Sequence, residues 1–439
     1  MSELLPDELA GDLSERAAAL GELAGVDDAG RTALGELADR LRDTYPYGDP
    51  HYAGQMLKPP HPVAWAAYAT AMTLNPNNHA LDGGPATAAM EREAVDALAA
   101  MLGMRTPLGH LTSSGTIANL EALWVARELG SGGAVLYGAD AHYTHERMCA
   151  VLGVPAETVP RGFDGRMDVA ALEARLARGG VDTVVATLGS TGLGLVDPVH
   201  EIADVCAAHG VRLHVDAAYG GFHTLLAPDA VDPAPFAAIG RADSVVIDPH
   251  KHGLQPYGCG CVVFADPGVG RLYAHDSPYT YFTSRELHLG EISLECSRAG
   301  AAAAALWTTL QVCTLTRDGL GAGLASGRAA ALRVAAALEG TGVALVVPPD
   351  LDIVCPFPAS GTASEISARC ERAFDTLGDD GWHVAKLRVD AGWLASRHPG
   401  VTPDIRTVTT LRCCLMKPSH LDVADELAAA IASHLASAA

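Results

Sequence analysis

Four lysines occur in this chain of 439 residues, Lys58, Lys251, Lys386 and Lys417, and arginine carries most of the positive charge. A primary amine adds to an aldehyde to form a Schiff base, and a guanidinium cannot replace it. The search for such a nucleophile is therefore confined to four positions. Lys251 follows Val245-Val246-Ile247-Asp248-Pro249-His250, an apolar strand pattern that ends in a proline and a polar cluster. Open α/β sheets place their sites at such strand ends. Asp216 lies 35 positions earlier (251 minus 216), in His214-Val215-Asp216-Ala217-Ala218-Tyr219-Gly220-Gly221, again a strand pattern running into small residues. A carboxylate there can pair with a protonated ring nitrogen and keep that ring electron-poor, and the small residues let a flat ring approach the backbone. Taken alone, Asp216 also reads as a loop or capping residue.

Two further clusters carry chemistry. Leu111-Thr112-Ser113-Ser114-Gly115-Thr116-Ile117-Ala118-Asn119 is a Ser/Thr/Gly group opening an apolar-periodic helix. Free N–H groups and the helix dipole at such a start suit a phosphate; a plain N-cap is the alternative. His142, in Ala141-His142-Tyr143-Thr144-His145-Glu146-Arg147, follows a strand pattern and can stack on a ring, or serve only the structure. The ten cysteines lack zinc-site spacing, Cys259-x-Cys261 and Cys413-Cys414 being the close pairs. They read as small core residues, and no metal site is expected.

These clusters need elements to hold them. Residues 2–42 read as amphipathic helix with breaks, followed by an extended Pro/His/Tyr-rich stretch from Tyr45 to Pro62. Helices are expected over Ala86–Leu102, Gly115–Leu129, His145–Leu152, Val169–Ala177 and Val199–His209. Strands are expected over Ala134–Tyr137, Thr183–Leu188, Arg212–Val215, Ser244–Ile247 and Cys261–Phe264. That alternation predicts an α/β architecture with a mostly parallel sheet, because parallel neighbours need crossover connections. Ala299–Leu310 and Leu324–Leu338 read as long helices leading out of the sheet. Short strands (Val343–Val347, Asp352–Cys355, Trp382–Leu387, Val408–Leu415) and two helices (Ser364–Leu377, Leu421–Leu435) follow. The expected division is an arm over 1–84, a large α/β domain over 85–339 and a small α+β domain over 340–439.

The formal charge of −22 repels phosphate backbones and anionic membrane surfaces, which argues against a nucleic-acid or membrane partner. The acidic start lacks the basic and apolar regions of a signal peptide, and no stretch is apolar enough to span a bilayer. A cytoplasmic location is the expectation.

The order of the clusters, a phosphate helix, a histidine after a strand, an aspartate at a strand end and a lysine at the next, resembles the group II pyridoxal-phosphate-dependent amino-acid decarboxylases, the family of the glutamate, aromatic-amino-acid and histidine enzymes. The strings HVDAAYGG and DPHK carry the resemblance, supported by Leu294-Glu295-Cys296-Ser297-Arg298-Ala299-Gly300 leading to Trp307, and by Leu411-Arg412-Cys413. It runs from about Pro46 to the C-terminus. The DPHK-x-G form is similar to the short archaeal-type tyrosine/aspartate decarboxylases.

The resemblance implies the aspartate-aminotransferase fold (fold type I) and a homodimer whose subunits share each site. It implies pyridoxal 5'-phosphate (PLP) bound to Lys251, Asp216 on the pyridine nitrogen, and Ala218 on the ring face opposite His142. Gly115, Thr116 and Thr191 would hold the phosphate, with His250 beside the lysine. The implied reaction turns a small L-amino acid into an amine and carbon dioxide; an aldehyde-forming decarboxylation, or another lyase or aminotransferase reaction on this fold, is the alternative. The family carries a proton-donating loop tyrosine where this chain reads Thr283-Ser284-Arg285-Glu286-Leu287-His288-Leu289-Gly290-Glu291. His288 falls near that place, with Tyr279 and Tyr281 upstream as alternatives. The polar arm residues His51, Gln55, Lys58 and His61, with the segment Asn75–His79, either line the substrate side or form polar loops at a dimer seam.

Overall fold

The chain alternates short β-branched runs with amphipathic helices, and in the computed structural model these assemble around one seven-stranded sheet. The structure describes residues 12–79, 83–105, 107–227, 229–274 and 293–437. The strands are β1 (Leu108–Thr112), β2 (Ala134–Gly138), β3 (Ala156–Val159), β4 (Val181–Thr187), β5 (Arg212–Asp216), β6 (Ser244–Ile247) and β7 (Gly260–Phe264), in the order β1-β7-β6-β5-β4-β2-β3. All neighbours from β3 to β6 are parallel, and β7 runs antiparallel to both β6 and β1. The mostly parallel sheet expected from the alternation is therefore found.

Helices Thr144–Leu152, Val169–Leu176 and Val199–His209 provide the crossovers. Helices on both faces bury both sides of each central strand, so β4 reads Val-Asp-Thr-Val-Val-Ala-Thr with Val184, Val185 and Ala186 fully buried. The consequence for function is directional. The loops after β2, β4, β5 and β6 all leave the carboxyl ends of parallel strands, on one edge of the sheet.

Two close approaches fix that edge. A Cβ on Gly220 would lie 2.0 Å from the Leu188 carbonyl oxygen, so only glycine lets the loop after β5 pass the loop after β4. A Cβ on Gly260 would lie 2.5 Å from the Ser114 backbone, so β7 passes hard against the turn that starts helix Gly115–Leu129.

Beyond the sheet, the alanine-rich helix Gly300–Val312 packs against Pro62–Met72 and Pro85–Met101, small buried residues from Ala301 to Ala305 allowing close approach. Helix Leu320–Leu338 then leads to a three-stranded antiparallel sheet of Ile353–Val354, Thr407–Cys414 and Ala385–Asp390, covered by Ala363–Asp379 and Ala424–Ser437. Thr362 and Glu365 close a capping box at the start of the first of these two helices.

Several elements differ from expectation. β1 and β3 were not anticipated, and Pro62–Met72 is a helix whose nearly uniform apolarity hides its period. Helix Leu320–Leu338 begins before Leu324, its glycines packing where side chains would collide with the Thr316 and Leu415 carbonyls. Among the described residues, no helix is long and apolar enough to cross a membrane.

Candidate active site

Asp216 ends β5 as a buried carboxylate. Its Oδ2 accepts a hydrogen bond from His145 Nε2 at 2.9 Å, and its Oδ1 accepts one from the Ala218 backbone N–H at 3.1 Å. Burial pushes its pKa up, but the His145 hydrogen bond and charge, with Lys251 and His214 beyond, outweigh burial and hold the carboxyl well below the usual range. His214, on the same strand, donates from Nε2 to Asn119 Oδ1 at 2.8 Å and accepts at Nδ1 from the Ser244 hydroxyl at 2.9 Å. Burial draws its pKa down to about 3, so it is neutral. The Asn119 amide is fixed in turn by donation to the Gly115 carbonyl at 2.8 Å. A hydrogen-bonded line thus runs from the helix start at Gly115 into β5 and β6.

Lys251 stands just past the end of β6, one strand over. Its Nζ lies 3.0 Å from Asp248 Oδ2. His250 Nδ1 donates to the Cys259 carbonyl at 2.8 Å, and its Nε2 lies 3.5 Å from Asp248 Oδ2. Burial lowers the His250 pKa.

Helix Gly115–Leu129 points its N-terminus into this cluster. Ser114 caps it, accepting from the Ile117 N–H, and a Cβ on Gly115 would lie 2.6 Å from Asp248 Oδ2. Thr116 Oγ1 is 3.5 Å from Thr144 Oγ1, which bonds His142 Nδ1 at 2.7 Å. Burial lowers the His142 pKa, opposed by Asp216. Thr191 lies in the turn after β4, where Gly189 has φ +96° and the Ser190 carbonyl accepts from the Gly194 N–H at 2.8 Å. The loops carrying Gly115, Thr116, His142, Thr191, Asp216, Ala218, His250 and Lys251 thus share one edge of the sheet.

The other lysines lie elsewhere. Lys386 pairs with Glu371 at the surface, Lys417 donates to the Tyr47 and Tyr52 carbonyls beneath the arm, and Lys58 is buried facing Asp352, His223 and His252. The polar arm is largely occupied with holding itself. His61 caps helix Pro62–Met72, and Asn78 is gripped by Thr87, Glu91 and Arg298. Arg298 also pairs with Glu91 and donates to the Leu111 carbonyl, while Glu295 accepts from the Ser113 N–H at 2.8 Å. On the neighbouring helix, Glu121 accepts from His110 at 2.7 Å and from the Tyr273 hydroxyl at 3.1 Å. His288, Tyr279 and Tyr281 lie outside the described residues. The cysteines are free and mostly buried, as a core reading requires.

Sequence reasoning missed His145 and Asp248. Each had a signal: His145 stands one helical turn past His142, and Asp248 one turn before Lys251. It quoted Arg412 only as part of the resemblance and gave it no role; its Nε donates to the Gly192 carbonyl at 3.2 Å and its Nη2 is buried without a partner.

An amine, a carboxylate held ionised and an anion-binding helix start, converging within one buried edge, are the donor set for a phosphorylated pyridine aldehyde. Residues 47–320 match the model of the pyridoxal-dependent decarboxylase conserved domain. The chain belongs to that family. A protein named "Probable L-aspartate decarboxylase" from Halobacterium salinarum is 32% identical over 338 residues, covering 76% of this chain and 88% of the relative. The L-tyrosine decarboxylase of Enterococcus faecium is 30% identical, covering 66% of this chain and 64% of its own. Among solved structures, mouse CSAD aligns with a TM-score of 0.80 at 22% identity over 95% of this chain and 91% of its own. Oryza sativa TDC with PLP and tryptamine aligns with a TM-score of 0.79 at 22% identity, over 93% and 88%. At that identity these two structures speak for the fold, which is fold type I. This member of the pyridoxal-dependent decarboxylase family is a PLP-dependent amino-acid carboxy-lyase.

Proposed function

We propose that this decarboxylase binds PLP through Lys251 and acts on a small acidic L-amino acid, L-aspartate first, to give an amine and carbon dioxide. The observation that carries the site assignment is the pairing of Lys251 with Asp248 beside an Asp216 kept ionised by His145. Bound PLP supplies the electron sink into which the bond to the departing carboxylate empties. Asp216, kept charged by His145, would pair with the protonated pyridine nitrogen. The Gly115 and Thr116 N–H groups at the helix start, with Thr191, hold the phosphate. His142 and Ala218 flank the ring. Asp248, 3.0 Å from Lys251 Nζ, would hold that side chain beside the bound cofactor. Arg412, with an unpartnered buried Nη2, is the clamp for a substrate carboxylate.

L-Aspartate is placed first because the relatives carrying that name match most of this chain. We also place the enzyme in the cytoplasm as a homodimer, with the 1–84 arm reaching its partner and 85–339 and 340–439 as its two domains. A panel of proteinogenic amino acids, with 2,4-diaminobutyrate and DOPA, assayed for carbon dioxide and amine, tests the reading. Amine from L-aspartate is expected. Turnover confined to aromatic amino acids would remove the acidic-substrate assignment.

A second reading rests on the absence of tyrosine from residues 283–291. With His288 in place of a loop phenol as the acid that returns a proton to the substrate α-carbon, oxygen can compete with protonation to give aldehyde, ammonia and peroxide. Peroxide release in air, rising in His288→Ala, would favour it.

A further inference from the structure

On the far side of the Lys251 loop lies a second polar cluster that the reaction does not use. His252 follows Lys251 directly, yet it packs against His223, from the turn Gly221–Leu226, with ring centroids 4.8 Å apart and planes at 84°. Asp352, just before the strand Ile353–Val354, completes the group. All three side chains are fully buried. Asp352 Oδ2 lies 3.4 Å from His252 Nε2 and 3.7 Å from His223 Nε2, and neither approach closes a hydrogen bond. Both nitrogens of both imidazoles and Asp352 Oδ2 have no hydrogen-bond partner. The Gly220 carbonyl accepts from the His223 backbone N–H at 2.9 Å and lies close to the imidazole as well. Five orphaned polar atoms in one fully buried group are rare, because each costs about 1–3 kcal/mol unless something fills the gap.

The spacing indicates what fills it. One ligand atom from each residue lies within 4.8 Å of the others. A tetrahedral ion with bonds of about 2.0–2.2 Å sets its ligand atoms roughly 3.3–3.6 Å apart, close to the two distances from Asp352. The Tyr219 hydroxyl donates to Asp352 Oδ1 and so aims Oδ2 at the histidines, the outer-shell hydrogen bond that metal-binding carboxylates use. We propose that His223, His252 and Asp352 are the protein ligands of a buried site for a first-row divalent metal, zinc above all.

Two imidazoles and one carboxylate, without thiolate, suit zinc or cobalt(II) better than copper(I) or magnesium. The ligands come from the turn after β5, the loop after β6 and the C-terminal region, so the ion clamps that region to the sheet behind Lys251. Lys58, Lys251, Arg328 and Arg412 are the cations that face the cluster. They oppose a second cation, and Lys58, buried in the arm, is the competitor for the gap.

The test uses full-length PLP-loaded enzyme dialysed against metal-free buffer and then offered Zn2+ or Co2+. About one equivalent per chain should be retained. Bound Co2+ should show visible ligand-field bands without thiolate charge transfer. His223→Leu and His252→Met should each reduce metal to background while circular dichroism and the PLP absorbance report the fold. Lys58→Met should tighten binding by at least about tenfold, since a competing charge is gone. Absence of uptake by the wild type, a thiolate band on Co2+, or retention of metal by both folded histidine variants would overturn the site. Should those variants fail to fold, the wild-type Co2+ spectrum and the Lys58→Met affinity decide; unchanged affinity counts against it.

Discussion

The two sides of the segment His250-Lys251-His252 treat buried polar groups in opposite ways. On one side Asp216 has a partner on each oxygen, and His145, His214, Asn119 and Ser244 extend the bonding from helix to strand. On the other, His223, His252 and Asp352 are as deeply buried and almost unpartnered. Burial is thus not what separates them. A completed network fixes one charge state and one geometry, as an electron-withdrawing contact to a ring requires. An incomplete one holds its shape while leaving a place for something else, and a chain stores both kinds within one loop because adjacent residues there serve opposite sides.

The comparison can be broken most severely at Lys251. Lys251→Ala is expected to abolish turnover and the borohydride-reducible PLP adduct, and Lys58, Lys386 or Lys417 variants should keep the adduct; mapping it to another lysine would end the assignment. Asp216→Asn keeps the shape and removes the charge, so the rate should fall by about two orders of magnitude or more and PLP should bind more weakly, measured by single-turnover kinetics and equilibrium dialysis.

His145→Ala sharpens the same side by pH. Asp216 has a depressed pKa, so its contribution is present above the ordinary carboxylate pKa and is lost as pH falls through the folded value. Without His145 the burial that pushes this carboxyl up is less opposed. The acid limb of PLP affinity and of stability should therefore move upward, by about 1–3 pH units. An unmoved acid limb would show that His145 does not hold the charge.

The smallest effect is expected on the other side. Tyr219→Phe removes the donor to Asp352 Oδ1 and leaves both oxygens of a buried carboxyl bare, at a cost of about 1–3 kcal/mol. Burial already raises the Asp352 pKa to about 6. Chemical denaturation checks this figure, and a change within error would mean that solvent or another group serves Asp352.

Much of the catalytic edge was legible because its signals are local. Lys251 stood out through the scarcity of lysine, Asp216 through a strand running into small residues, and Gly115 through the polar opening of a helix. What was not legible depends on distant partners. β1 contains Gly109 and His110, poor strand formers, and is held by pairing with β7 and by the buried His110–Glu121 contact. The arm residues Lys58 and Asn78 read either as substrate contacts or as seam residues, because polarity does not say which partners reach them; Asn78 is held across the fold by Glu91 and Arg298. The cluster of His223, His252 and Asp352 has no sequence spacing to betray it, since three separate elements converge there.

The two glutamates beneath the site have a consequence for protein engineering. Tyr273 is tied to Glu121 on helix Gly115–Leu129 and Arg298 to Glu91 on helix Pro85–Met101. In the sequence, residues 275–292, among them His288, Tyr279 and Tyr281, fall between these two anchors. An exchange of this interval with another decarboxylase must keep Glu295 and Ser297, whose bonds to Ser113 and Asn77 belong to the scaffold rather than to the exchanged stretch.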